Sequence, residues 1–245
     1  GLLETLKKNI NNASWNLKLF EIGRTFLRRG DGELPEERNI LAALAAGKAS
    51  DDLWGLKAGV DFYDLKGCLE NIFQDLKFDS MRFRAEKPQS YLHPGQSCGV
   101  YADDVRIGSM GKAHPDVLKK MDIKSDAYVF EIDLDLLGAK IRPRVRCREI
   151  SKFPAVLRDV AFVLPSSMES EKMLEMVLRQ REDLLENVSI FDIYAGKGLE
   201  EGTKSLGLRF SYRALDRTLT DAEVSAIHDR IVTYTIRLTG AKIRA

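Results

Sequence analysis

Residues 188–224 set the tightest limit on what this chain can fold into. Two runs of strand character, 188–194 and 204–213, flank a loop carrying Gly196, Gly198 and Gly202. A helix start follows at once. Thr220 and Glu223 form a T-x-x-E capping box, in which the hydroxyl takes the N3 amide and the carboxylate reaches back to the N-cap amide. Leu219 and Val224 occupy the two positions of a hydrophobic staple across that box. Strand, loop, strand and capped helix in succession are half of a β-α-β-β-α-β unit.

The other half lies just upstream. Residues 158–164 alternate Val160, Phe162 and Leu164 against Asp159, Ala161 and Val163, the period of a half-buried strand, and Pro165 stops it. Ser166 and Glu169 offer a second capping box, which predicts a helix running to about Arg181 with Met173, Met176, Val177 and Gln180 on one face. The final helix places Val224, Ile227, Ile231, Tyr234 or Thr235, and Leu238 along one stripe. Gly240 is positioned to close it in a left-handed turn, which leaves 241–245 as a short last strand. That is the ferredoxin-like βαββαβ order.

The first part reads as α+β of another kind. Residues 2–10 are a helix, 17–26 a strand, 28–35 a charged turn, and 38–46 a strand apolar enough to be buried on both faces. A loop over 47–59 holds Trp54. The helix at 61–76 has a continuous apolar stripe through Phe62, Leu65, Leu69, Ile72, Phe73 and Leu76. A strand at 78–85 and a turn at 91–95 come next. Strands 98–101 and 105–110 then form a hairpin around Ala102-Asp103-Asp104. Pro115 opens a short helix, and 127–134 alternates as the last strand. An antiparallel sheet carrying a few helices is the expected arrangement. The domain limits that follow are 1–139, a basic linker at 140–152, and 153–245.

That linker holds Lys140, Arg142, Arg144, Arg146, Arg148 and Lys152 against the single acid Glu149. It reads either as a phosphate contact or as a solvated edge protected by charge. Residues 151–245 carry 14 basic and 14 acidic side chains and the whole chain has a net charge of +1, so no global field argues for a polyanionic partner or a membrane. No apolar run approaches the roughly 18 residues of a spanning helix. The chain opens with Gly1 in what reads as mid-helix, with no signal peptide, and so is expected to be a carboxyl-terminal piece of something longer.

Metal and nucleophile chemistry find little support. Cys68, Cys98 and Cys147 are distant from one another and form no C-x-x-C, as expected of reduced cysteines in a cytoplasmic protein. The sequons at Asn12 and Asn187 are chance matches in a chain without a secretory signal. His93 and His114 both precede proline and read as turn residues, while His228 reads as the edge of the last helix. The run Gly108-Ser109-Met110-Gly111-Lys112 lacks the spacing and the following Ser or Thr of a P-loop. No catalytic residue and no metal ligand is assigned.

Several motifs resemble a known family. FDIYAGKGLEEGTKSLGLRFSYR with RTLTDAEV, and KFPAVLRDVAFVL before them, resemble the ferredoxin-fold anticodon-binding domain at the carboxyl end of the bacterial phenylalanyl-tRNA synthetase beta chain. LFEIGRTF at 19–26 and IGSMGKAHPDVLKKMDI at 107–123 resemble the class II synthetase-like module that precedes it. The likeness covers nearly the whole chain. It implies part of a phenylalanine-tRNA ligase, an aminoacyl-tRNA synthetase of the cytoplasm, working as an alpha2beta2 heterotetramer on tRNA(Phe) with ATP and magnesium.

The first module lacks the G-x-G-x-G-x-E-R run with which class II cores bind ATP, and Arg24 alone cannot offset a triphosphate. An inactive copy is therefore expected, with no cofactor of its own; the resemblance implies that it packs on the alpha subunit, which holds the active site. This piece alone is expected not to aminoacylate.

The second domain offers a surface. In a ferredoxin-like sheet helices cover one face. Strand parity sends Leu206, Leu208, Phe210 and Tyr212 inward and leaves Ser205, Gly207, Arg209 and Ser211 outward, beside Asp159, Ala161 and Val163. Around Phe191 the parity is mixed: if Phe191 and Ile193 are the buried pair, Tyr194 stands on the open face. A small residue, a ring, a hydroxyl, bare backbone and a cation can grip a splayed RNA base. The resemblance implies that Ala161, Tyr194 and Ser205 hold the first anticodon base. Gly207 and Arg209 complete the candidate RNA-binding set, with Lys197 and Lys204 at the loop for phosphate. Two other readings stay open: a purely structural subunit-assembly module without RNA contact, and an amino-acid-binding regulatory domain, since βαββαβ folds also bind amino acids.

Overall fold

The computed structural model describes residues 1–30, 32–49, 58–78, 80–141 and 150–244. The basic stretch 142–149, Cys147 and Trp54 lie outside the described residues. The chain divides into two compact units, Gly1–Arg146 and Cys147–Ala245.

In the first unit helix α1 (Leu2–Asn11) leads into strands β1 (Leu17–Leu27) and β2 (Glu36–Ala46), then helix α2 (Phe62–Asp75). Strands β3 (Met81–Arg84), β4 (Leu92–Ala102) and β5 (Val105–Ala113) follow, then helix α3 (Pro115–Lys120), strand β6 (Ala127–Asp133) and helix α4 (Leu134–Gly138). The strands form one antiparallel sheet in the order β1-β2-β6-β5-β4-β3. The apolar stripe of α2 explains one layer: Leu65, Leu69 and Phe73 are buried against Ala43, Ala45, Met110 and Phe130. Leu6 of α1 packs with Leu44, Ala46, Ala113 and Ala127 in a second cluster. The carboxyl half of β2 is accordingly buried throughout, while its first half is only half-buried.

Two local expectations fail here. Residues 91–95 are not a free turn: Leu92, His93, Pro94 and Gly95 belong to β4, which absorbs them through a register shift between Leu92 and Ser97. Pro94 is tolerated where the ladder is already interrupted. The expected strand at 78–85 is shorter, Met81–Arg84. His93 and His114 do act locally, each accepting from a main-chain amide, that of Gly95 at 3.0 Å and of Asp116 at 3.2 Å.

The second unit runs β7 (Val156–Pro165), α5 (Ser170–Leu178), β8 (Leu185–Tyr194), β9 (Thr203–Tyr212), α6 (Asp221–Thr239) and β10 (Lys242–Ile243). Its sheet has the order β10-β7-β9-β8, every neighbour antiparallel. Strands β7 and β8 are joined through α5 and separated in the sheet by β9, which is the split βαβ arrangement. Both helices lie on one face, where Met173, Val177, Val224 and Ile231 meet Phe162, Leu164, Leu206, Leu208 and Phe210.

The capping box forms as read: the Thr220 amide donates to Glu223 Oε2 at 2.9 Å, and the Glu223 amide to the Thr220 hydroxyl at 3.4 Å. Leu219 and Val224 are both buried beneath it, and Gly240 ends α6 at φ 67°. Its upstream counterpart does not form. Glu169 is itself the N-cap of α5, without a side-chain cap, and the Ser166 amide donates to the Gly202 carbonyl. That helix also stops early, at Leu178. His228 is not at an edge: its Nδ1 lies 2.8 Å from the Tyr212 hydroxyl in the core, with Phe210 edge-on to its ring.

Candidate nucleic-acid interface

The face of the second sheet away from α5 and α6 is built by strand alternation. Inward residues of β7 and β9 make the core, so their alternates, Asp159, Ala161 and Val163 beside Ser205, Gly207, Arg209 and Ser211, stand on the other side. Ala161 is half-buried and lies opposite Gly207.

Strand β8 does not follow simple alternation. Val188 and Ile190 face the core opposite Phe210 and Leu208, but the register then slips by one, so that Asp192 opposes Gly207 and Tyr194 opposes Ser205. The extra residue is Phe191. Its ring lies over Gly207, where a Cβ would come within 2.8 Å of Phe191 Cζ, and the Arg209 guanidinium sits 5.2 Å from its centroid. Phe191 is therefore on the open face, contrary to the expectation that it pairs with Ile193 inside. Ile193 points to the helix side opposite Leu206, yet stays 56% exposed at the sheet edge. A bulge lets two residues face one. Tyr194 reaches the open face as expected, with its hydroxyl donating to the Lys197 carbonyl at 3.0 Å.

The other candidates are placed differently from one another. Ser205 faces the open side but is fully buried, and its hydroxyl has no hydrogen-bond partner among the described residues. An unmatched buried hydroxyl is costly unless something supplies a partner. Arg209 is exposed but held in a fork by Asp159, at 2.8 and 2.6 Å, and each raises or lowers the other accordingly: the bond to Arg209 pulls the Asp159 carboxyl down, and the bond to Asp159 pushes the guanidinium up. Lys197 is exposed in the loop. Lys204 lies where the loop enters β9; its parity is that of Leu206, and its ammonium donates to the Met168 carbonyl at 2.6 Å.

Sequence reasoning missed two members of this face, Phe191 and Arg244. Arg244 follows β10, its amide donates to the Ala161 carbonyl at 2.8 Å, and its guanidinium lies 4.9 Å from the Tyr194 ring centroid. The register of Lys242 with Val163 and Ile243 with Phe162 could have placed it, had that pairing been known.

In the first unit the residues do not fit a triphosphate. Arg24 pairs with Glu37 at 2.9 Å, and the cavity it borders is lined by Glu4, Glu21 and Glu131. Gly108 and Gly111 are strand glycines pressed on neighbouring main chain; a Cβ there would meet the Glu131 and Gln96 carbonyl oxygens at 2.1 and 2.6 Å. Tyr91 donates to Glu131 at 2.7 Å, and burial pushes its phenol up. Among the described residues no group of three or more His, Cys, Asp or Glu is arranged to hold a metal, and no helix is long and apolar enough to cross a membrane.

Residues 1–134 match the family described as phenylalanyl tRNA synthetase beta chain CLM domain, and residues 151–244 the ferredoxin-fold anticodon binding domain. The chain belongs to the phenylalanyl-tRNA synthetase beta-chain family. Among similar proteins are the phenylalanine-tRNA ligase beta subunits of Syntrophus aciditrophicus, 46% identical over 245 residues, and Syntrophotalea carbinolica, 35% identical over 245 residues. Each comparison covers 100% of this chain and 30% of the relative. The beta subunit of Staphylococcus epidermidis is 36% identical over 246 residues, covering 99% and 30%. The chain thus spans about 30% of the length of the curated relatives it matches. The antiparallel first sheet and the ferredoxin-like second unit are those of an α+β beta-chain member.

Proposed function

We propose that this chain works as the carboxyl-terminal portion of a phenylalanine-tRNA ligase beta subunit, in the cytoplasm. Its second unit reads the anticodon of tRNA(Phe), and its first unit is a noncatalytic scaffold for the alpha subunit within an alpha2beta2 assembly. ATP and magnesium then act in the alpha subunit, since the acidic cavity beside Arg24 would repel a triphosphate. The observation that carries the reading is the open sheet face, where the Tyr194 ring stands half-exposed beside the buried, unmatched hydroxyl of Ser205. A ring stacks on any base, and a hydroxyl can read a base edge. Ala161 keeps the floor low enough for a flat group to approach, while Gly207 seats the Phe191 ring and Arg209 stands at its border.

The scaffold role is favoured by Phe20, Ile22 and Phe26. They share one side of the edge strand β1 and are each more than 60% exposed. Such a row on a sheet edge is characteristic of a surface that another chain covers.

The test is Tyr194→Ala in the assembled synthetase. Stacking on one ring is worth about 1–3 kcal/mol, so tRNA affinity is expected to fall about tenfold or more while alpha–beta association persists. Unchanged tRNA affinity with weakened association would instead favour a purely structural module. Phenylalanine binding to the beta chain alone, seen by calorimetry, would favour an amino-acid-sensing domain.

A further inference from the structure

We propose that Arg244 is the second jaw of the base site, closing over the nucleobase from the side opposite Tyr194. The inference rests on the anticodon-reading role proposed for this face and adds to it a residue from the last strand.

The two side chains start on opposite edges of the sheet. Tyr194 ends β8, and Arg244 follows β10, with β7 and β9 between them. Register places both on the open face: Tyr194 is opposite Ser205, and Arg244 is anchored by its amide to Ala161. Their tips nevertheless meet, with the guanidinium 4.9 Å from the ring centroid. They can do so only by bridging the two middle strands, above the floor that contains Ala161 and Ser205. A bridge there accounts for a serine that faces an open sheet and yet is fully buried.

Three features make this bridge a clamp and not a fixed roof. Arg244 is exposed, and no carboxylate among the described residues holds its guanidinium, whereas Arg209 is forked to Asp159. A cation–ring contact at an exposed site is weak enough to open. What lies beneath it is a hydroxyl without a partner, which an entering base edge can supply. A guanidinium plane stacks on a base as readily as an aromatic ring does. Opening therefore exchanges one Tyr–Arg contact for a Tyr–base–Arg sandwich, with the base edge turned to Ser205. The occupant that fits is a single unpaired nucleobase, because only an unpaired base has an edge free to meet Ser205 and both faces free to stack.

The experiment measures tRNA binding by the assembled synthetase carrying Arg244→Ala or Arg244→Lys, against tRNA with the first anticodon base intact or replaced by an abasic residue. Arg244→Ala is expected to lower affinity for intact tRNA about tenfold, mainly through faster dissociation. Arg244→Lys should not restore it, since lysine keeps the charge and loses the plane. The abasic tRNA should bind the wild type and Arg244→Ala equally.

Rescue by lysine, with an alanine loss that persists on abasic tRNA, would reduce Arg244 to a phosphate contact and overturn the clamp. Tighter binding by Arg244→Ala would make it a plug and overturn it likewise. If Tyr194→Ala weakens binding and Arg244→Ala does not, the clamp fails while the anticodon face stands. If neither variant and no abasic substitution has any effect, the anticodon reading itself fails. A thermal melt of Arg244→Ala within a few degrees of wild type, expected for an exposed side chain whose amide bond to Ala161 remains, separates these outcomes from misfolding.

Discussion

At the scale of single residues, the α6 cap is where a local sequence rule becomes a measurable pH dependence. The Glu223 carboxylate accepts from the Thr220 amide, then from the Thr220 hydroxyl and from Arg217, and these bonds hold it down to about 2. An unfolded glutamate titrates near 4.3. The folded value is the lower one, so the cap's contribution is fully present above the unfolded value and is lost as pH falls from about 4.3 toward 2. Glu223→Gln is expected to be less stable than wild type at pH 7, and the gap should close in melts taken at successively lower pH across that window. A gap that stays constant to pH 2 would assign the loss to packing and not to the carboxylate. The cap was fully legible because its partners are three residues apart. His228 was not. A helix stripe shows which face is apolar, but only the tertiary position of Tyr212, 16 residues earlier, tells that this imidazole sits buried on a phenol hydroxyl. Burial pushes its basicity down, consistent with a neutral ring in that core.

At the scale of elements, strand parity carried most of the second sheet and failed on β8 for a definite reason. On β7 and β9 alternation is unbroken, so the sorting of Leu206, Leu208, Phe210 and Tyr212 from Arg209 and Ser211 could be made from sequence. On β8 the apolar residues Val188 and Ile190 share parity with Asp192 and Tyr194, which signalled an irregularity without locating it. The structure puts it at Phe191, with a second slip between Leu185 and Asn187. Helix α5 failed otherwise: Ser166 and Glu169 have the right spacing for a box, but the Ser166 amide is committed to Gly202 across the loop, a contact that spacing cannot report. The bulge has a testable consequence. Removing Phe191 leaves Ile190 inward, Asp192 outward, Ile193 inward and Tyr194 outward, so the ladder to β9 can close without a slip from Asn187 onward. Deleting Phe191 is thus expected to cost only about 1 kcal/mol, the loss of a half-exposed ring, and to leave Tyr194 on the open face. Denaturant melts check the first point. Retention of more tRNA affinity than Tyr194→Ala checks the second, and collapse of either would mean that the bulge itself holds the site.

At the scale of the whole molecule, each unit owns a separate core, and the second has what an independent domain needs. Its 15 buried core residues run from Phe162 to Ala241 and draw on every strand except the two-residue β10, whose Ile243 is exposed. Residues 150–245 expressed alone are therefore expected to unfold in one cooperative transition. That piece also isolates the electrostatics of the open face. The chain's net charge of +1 supplies no long-range attraction, and the local cations are mostly committed: Arg209 to Asp159, Lys204 to the Met168 carbonyl, and Lys242 to Glu200 at 3.3 Å. Arg244 and Lys197 are left to meet phosphate or base. Each phosphate neutralised on a single strand contributes about −0.7 to the slope of log K against log salt, so the piece should bind an anticodon stem-loop RNA with a slope no steeper than about −1.5. A slope beyond about −4 would require several more cations than this face presents. It would move the RNA contact to another surface of this unit.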